Sequence, residues 1–279
     1  MTIEEAEVES VLTAKQISEK YGSDVAPIYK SIFGELNPES SEILALKSLI
    51  GDLDSPIVVE FGVGTGRVLI PLAEALAPDT SPRLVGIDGS SDLLDIARAA
   101  SERLPIELIE SDISAIDLDV PHALGVTSLV FCVCGTISML PDRESQLRSL
   151  HNAAALLTET GLLVIETHSP ELIRQALGQG GGSTYVPYPP SNRGLVSFHD
   201  IDGDRWTVKE VWIDGDEITR MSESSLLTTV DDLTALAAQA GLEVVETWGS
   251  LSGGEYSLDA SPMYALVLRR RSKQDSGRP

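Results

Sequence analysis

The 279-residue chain sets 20 Lys and Arg against 43 Asp and Glu, a formal net charge of -23, which repels phosphate backbones and anionic lipid and argues against nucleic-acid substrates. Hydrophobic residues make up 42% of it, enough for the core of one large α/β domain or of a domain carrying an inserted subdomain. The longest apolar runs, Leu162–Ile165 and Tyr264–Leu268, are strand-sized, far short of the roughly 20 residues that cross a bilayer, and the acidic start Met-Thr-Ile-Glu-Glu-Ala-Glu lacks the basic end and apolar core of a signal peptide, so no membrane span and a cytoplasmic location are expected.

A polar, helical stretch of about 20 residues opens the chain. Asn37-Pro38-Glu39 then reads as an N-cap, a proline at the first helical position and an acidic first turn, predicting a helix that closes at Gly51. Ile57–Phe61 is β-rich, and Val68, Leu69, Leu72 and Leu76 recur at helical spacing, giving strand, glycine turn and helix, with Pro71 expected to bend that helix. The alternation continues with a strand at Arg83–Asp88, a helix at Asp92–Arg103 capped by Ser91, and strands at Ile106–Glu110 and Val126–Val133. Cys132 and Cys134 are the two cysteines, two apart in an apolar run, and are read as poor disulfide partners. With 4 scattered His, they complete no metal cluster, and no metal is expected. A helix over Arg143–Leu157 behind Asp142 and a strand at Leu162–Thr167 follow. Strands alternating with helices imply right-handed crossovers and a doubly wound, mostly parallel sheet.

The rhythm breaks at Gly178-Gln-Gly-Gly-Gly182, read as a flexible glycine run. Three β-rich stretches follow, separated by Asp202-Gly203 and Asp214-Gly215; Asp-Gly is a strong hairpin signal, so the expectation is a three-stranded antiparallel insert. Helical spacing returns behind Thr229, with Asp232 in capping-box position and Gly241 as the stop. Leu242–Trp248 and Pro262–Leu268 are read as an antiparallel edge pair, and Arg269–Arg271 with Lys273 as a solvated tail.

The chemistry is concentrated at the first strand end. Gly62, Gly64 and Gly66 space as G-x-G-x-G behind Glu60, with Arg67 where a third dinucleotide-binding glycine would be sought. The departure from G-x-G-x-x-G points away from a pyrophosphate. S-adenosylmethionine carries no phosphate but has a ribose diol, an ammonium and a sulfonium, and a carboxylate beside the turn suits its cationic end. Asp88, with Gly89 after it, ends the second strand 22 positions beyond Gly66, close to the roughly 20 of a ribose-binding acid. Asp112 follows the third strand and is placed to accept from the adenine amine.

From Tyr21 to Leu268 the chain resembles class I S-adenosylmethionine-dependent methyltransferases. The resemblance implies a Rossmann-like seven-stranded doubly wound sheet, mostly parallel with the last strand antiparallel, and an antiparallel β insert after the fifth strand. It implies donor contacts at Glu60, Gly62, Gly64, Gly66, Asp88, Gly89, Asp112 and Ile113. It adds Phe131 and Cys132, because Phe131-Cys-Val-Cys-Gly-Thr-Ile137 matches where such enzymes flank donor and substrate. The layout also resembles a subgroup that methylates amino sugars and other small amines, in which the insert covers the pocket and an N-terminal helix closes over the donor. Tyr21-Gly-Ser-Asp-Val-Ala-Pro-Ile-Tyr29 is similar to that helix, which places Tyr21 and Tyr29 at the donor. The implied organisation is an N-terminal segment 1–50, a catalytic domain 51–270, a lid 178–229 within it, and a flexible tail 271–279. The Asn/Asp-Pro-Pro-Tyr motif of amide methyltransferases is lacking, Cys134-Gly-Thr standing there instead.

For the acceptor, Trp206, Val208, Glu210 and Trp212 alternate onto one strand face, setting a carboxylate between aromatics that suit a cation. His168, beyond the fifth strand at the ligand-binding edge, and His199 are the other candidate proton acceptors. The expected activity is methyl transfer from S-adenosylmethionine to an amine of a small molecule in specialised biosynthesis. O- or carboxyl-methylation of a small molecule or peptide, and donor binding without turnover, are the alternatives. The acidic surface admits a cationic acceptor, and a homodimer is left open.

Overall fold

A computed structural model describes residues 12–272, apart from 79, 118–122, 179, 190 and 191. Residues 1–11 of the expected first helix and 273–279 of the expected tail, Lys273 included, lie outside the described residues.

Helix α1 spans Ala14–Val25 and starts on a capping box that the sequence reading missed. The Thr13 hydroxyl accepts from the Gln16 amide at 3.3 Å, while Gln16 Oε1 accepts from the Thr13 amide at 2.9 Å. A 3-10 turn over Ala26–Ile28 leads into α2, Tyr29–Ile32. Helix α3, Ser41–Ile50, begins behind Ser40 and not behind Asn37. Asn37 instead closes a turn of its own: its Oδ1 accepts from the Glu39 amide at 2.9 Å and its amide donates to Ser40 Oγ at 3.0 Å.

Strand β1, Ile57–Phe61, leads through the glycine turn into α4, Leu69–Leu76. The expected bend at Pro71 does not follow, because Pro71 is the third residue of α4, among the first-turn positions whose N–H has no intrahelical partner in any case. Then come β2, Arg83–Asp88, and α5, Ser91–Ala100, capped by Ser90 Oγ, one residue before the expected Ser91. They are followed by β3, Ile106–Glu110, β4, Thr127–Cys132, a short α6, Thr136–Met139, and α7, Arg143–Leu156. Strand β5, Leu157–His168, starts five residues before the Leu162 expected. Its early part pairs Leu157 with Thr127 across an irregular register, and Gly161 leaves room there for the Thr127 carbonyl.

After α8, Pro170–Leu177, the insert has four strands where three were expected: β6, Gly181–Tyr188, β7, Arg193–Asp202, β8, Arg205–Asp214, and β9, Glu217–Leu226. The glycine run read as flexible supplies the start of β6, where Gly181 and Gly182 pair with Asp200 and His199. Pro187 is tolerated because β6 is an edge strand. Helix α9, Val230–Gln239, follows Thr229, whose hydroxyl accepts from the Asp232 amide at 3.1 Å, and β10, Leu242–Trp248, and β11, Met263–Arg270, finish the chain.

The main sheet has order β10-β11-β5-β4-β1-β2-β3. All its neighbours pair in parallel except β11, which runs antiparallel to both β5 and β10. Alternation along each strand splits the core in two. Val59, Ile87, Val130 and Ile165 point toward α7 and α9, whereas Val58, Leu84, Leu129 and Val164 point toward α3 and α4. Each such fully buried side chain contributes about 1.5–3 kcal/mol, so both faces need helices and the parallel strands read as continuous apolar runs. Among the described residues, no helix is long and apolar enough to cross a membrane.

Candidate active site

Parallel strands that reverse their winding leave a crevice at their carboxyl ends. Here it opens beyond β1, β2, β3 and β4 and is roofed by α1, enclosing about 890 Å³ with its open mouth included.

The glycine turn forms its floor. The amides of Gly62 and Val63 donate to the Ile87 carbonyl at 2.7 and 3.0 Å, fastening the turn to the end of β2. Gly64 has φ +53° and faces open space, the Tyr29 hydroxyl 3.9 Å from where a Cβ would stand. Gly66, at φ +81°, has a different reason for its glycine: a Cβ there would come within 2.5 Å of Ile70. Gly66 is therefore a packing glycine under α4 and does not line the cleft.

Three acids converge on the cleft. Glu60 is 2% exposed, and its Oε2 is buried without a hydrogen-bond partner. Burial drives its carboxyl well up from the usual range, with Arg67 opposing and Asp88 adding to the shift. Asp88, 6% exposed, accepts from the Gly64 amide at 2.8 Å on Oδ2 and from the Ser90 amide at 2.9 Å and the Ser18 hydroxyl at 3.1 Å on Oδ1. Burial raises it, and these hydrogen bonds pull the other way. Asp112 receives the Ser114 amide and hydroxyl on Oδ1, both at 2.8 Å, which orients it at the cleft wall beside Ile113. Tyr21 and Tyr29 come from the α1 side, and Gly89 lets α1 approach, since a Cβ there would stand 2.8 Å from that of Ser18.

Besides Gly66, two more of the residues expected at the donor do not line this cleft. Phe131 and Cys132 alternate into the two faces of the core, Phe131 toward α3 and α4 and Cys132 toward α7, and neither lines the cleft. The cleft wall in that region comes instead from Val133, Cys134 and Thr136, past the end of the strand.

Residues 58–161 match a family described as a methyltransferase domain. The chain is an S-adenosylmethionine-dependent methyltransferase. It is 23% identical over 253 residues to a cypemycin N-terminal methyltransferase from a Streptomyces species, covering 90% of this chain and 98% of that one. Among solved structures, the CcbJ methyltransferase of Streptomyces caelestis superposes with a TM-score of 0.74 at 21% identity, over 91% of this chain and 99% of that one. The sugar N-methyltransferase KedS8 of a Streptoalloteichus species does so with 0.62 at 20%, over 98% and 99%. At those identities the structural matches establish the fold.

The methyltransferase's cofactor is S-adenosylmethionine, and the cleft fits it on the evidence of Glu60. A buried carboxylate oxygen with no protein partner is costly unless a cation meets it, and the cofactor's amino-acid end carries an ammonium. When bound, the cofactor supplies a methyl group activated by its sulfonium.

The acceptor candidates lie on the insert. Alternation in β8 turns Trp206, Val208, Glu210 and Trp212 inward. Trp212 and Met221 pack with Tyr21, Tyr29 and Val25 of the α1 side, so the insert is seated on the roof of the donor cleft. Glu210 Oε1 accepts from Ser197 Oγ at 2.7 Å, and burial raises its carboxyl. His168 meets Trp206 edge-on at 5.2 Å, and His199 stacks on the same ring at 5.7 Å with its Nε2 3.0 Å from the Thr184 hydroxyl. Burial lowers both imidazoles, His168 to about 4, so it is neutral at physiological pH. The structure thus gathers the two histidines around Trp206, whereas none of the three candidates lines the donor cleft itself.

Sequence reasoning missed several residues in or around the cleft. Ser18 had no signal, because its role depends on α1 folding back over β2. Arg67 was read only as a missing glycine; its Nη2 lies 3.1 Å from Cys134 Sγ at the cleft. Glu223 was overlooked although strand alternation in β9 puts it on the inner face with Met221 and Ser225. Glu166 also escaped notice: from β5 it accepts the Cys134 amide at 3.1 Å and the Leu251 amide at 3.0 Å.

Proposed function

We propose that this methyltransferase transfers a methyl group to an amine of a small molecule, in specialised biosynthesis. The observation that carries this reading is the placement of the insert. Its inner face, with Glu210 between Trp206 and Trp212, is seated against Tyr21 and Tyr29 of the donor cleft. Aromatic walls around an acid suit an ammonium or a free amine. The relatives named for N-terminal and sugar N-methylation support the same class.

In this reading Glu60 takes the cofactor's ammonium, Asp88 its ribose hydroxyls and Asp112 its adenine amine. Residues 1–50 form the segment that closes over the donor, and 178–229 the lid. The chain's contribution to the displacement is alignment and exclusion of water, with a proton acceptor needed when the amine arrives protonated. Glu210 and His199 on the insert, and His168 packed against its Trp206, are the candidates for that role, directly or through water.

The test is product mass spectrometry with S-adenosylmethionine and matched panels of amino sugars, peptides with free N-termini, and hydroxylated counterparts. Methylation confined to amines supports the reading. Transfer to oxygen alone replaces it with O-methylation, and donor binding without turnover on either panel points to a non-catalytic role.

A further inference from the structure

A second acid stands beside Glu210 on the inner face of the lid sheet. In the antiparallel ladder Val208 pairs with Glu223 and Glu210 with Met221, so Glu210 and Glu223 are diagonal neighbours on the inner face of adjacent strands, within mutual reach. Glu210 has a hydroxyl partner in Ser197. Burial raises both carboxyls, Glu223 to about 7 with Glu210 reinforcing it, and no basic side chain opposes the shift of either. Both carboxylates also raise the Tyr21 phenol, after burial, and Tyr21 lines the donor cleft. Among the described residues, the elements packed most extensively on β9 are β8, α1 and α6. They present Glu210 and Tyr21 to Glu223, and α6 carries no titratable residue.

A pair of half-buried carboxylates with no protein cation is unfavourable for the empty enzyme. It becomes favourable when a cation enters. Deepening the amine reading on which it rests, we propose that Glu210 and Glu223 together form the site for the acceptor's ammonium, and that Glu223 removes its proton. In that step the N–H bond breaks, an O–H bond forms on Glu223, and the nitrogen keeps the electron pair with which it attacks. Transfer then gives a methylammonium and neutral S-adenosylhomocysteine, and Glu223 returns its proton to solvent. The substrate class is narrowed to amines that are protonated near neutral pH, which excludes amides, anilines and nucleobase nitrogens.

The test uses the full chain, wild type and Glu223→Gln, with glucosamine and a free N-terminal alanyl peptide as probes, extended to whichever panel amine the wild type turns over. Glu223→Gln is expected to raise KM for the amine about tenfold or more, the weight of a hydrogen bond to a charge. It should also move the rise of kcat/KM with pH, while S-adenosylhomocysteine affinity by calorimetry stays unchanged. Glu223→Asp should recover part of the loss. Amine transfer by the wild type with KM and pH profile unaltered in Glu223→Gln overturns this assignment alone. Transfer only to hydroxyls overturns the amine reading and this assignment with it.

Discussion

Ser18 on α1 donates its hydroxyl to Asp88 at the end of β2, Oγ to Oδ1 at 3.1 Å, across 70 positions of sequence. The bond ties the helix that roofs the cleft to the acid proposed to hold the donor's ribose, so under that proposal donor binding and the seating of α1 share one carboxylate.

Asp88→Ala is expected to weaken S-adenosylhomocysteine binding by about 1.5–3 kcal/mol, the range for hydrogen bonds to a charged group. Ser18→Ala should leave Asp88 its two amide partners and cost less. Calorimetric titration of both folded variants checks the order; an unaltered affinity in Asp88→Ala would remove Asp88 from the donor site.

Two glycines of one turn should fail in different ways. At Gly64 an added methyl projects into the open cleft, so Gly64→Ala should cost donor affinity while destabilising the fold by only about 1–2 kcal/mol for its left-handed backbone. At Gly66 the methyl meets Ile70, and strain adds to the backbone cost. Denaturant melts paired with donor titrations separate the two; equal stability losses would show that Gly66 is not a packing position.

His168 and Glu223 make opposite contributions to stability as pH changes. The His168 imidazole falls from 6.5 to about 4 in the folded chain, so the unfolded chain protonates first, and its contribution is whole above 6.5 and lost as pH drops toward 4. The Glu223 carboxyl rises from 4.5 to about 7, so its contribution is whole below 4.5 and lost as pH climbs through 7. Relative to wild type, His168→Gln should gain melting temperature toward low pH and Glu223→Gln toward high pH. Melting curves from pH ~4 to ~8 decide it, and parallel profiles would contradict both.

Glu166 braces the backbone of the cleft wall without lining the cleft itself. Its carboxylate fixes the Cys134 amide, where the backbone takes φ +57° in a residue other than glycine, and the Leu251 amide beside it. Glu166→Ala strands two amides and should destabilise the chain by about 1–3 kcal/mol, with Glu166→Gln recovering part because one oxygen remains. Loss of stability identical in both variants would show that the charge, not the acceptor geometry, is what the turn requires.

What the sequence determined by itself was the doubly wound sheet and the acids at its strand ends. Strand and helix periodicities are local and long, and Glu60, Asp88 and Asp112 follow apolar runs whose ends are visible in one dimension. Local chemistry also misled where two local signals compete. Asn37 caps a turn instead of α3, and the glycines before Tyr185 build an edge strand, because pairing partners in β7 override their flexibility. Phe131 and Cys132 belong to the strand and hence to the core, leaving the wall to Cys134 and Thr136 beyond it. Only the tertiary structure decided that α1 roofs the cleft through Ser18, that Trp206 gathers His168 and His199, and that Glu223 stands beside Glu210. Those relationships join elements tens to hundreds of residues apart, and no spacing along the chain encodes them; burying two sheets and a roof against one another does.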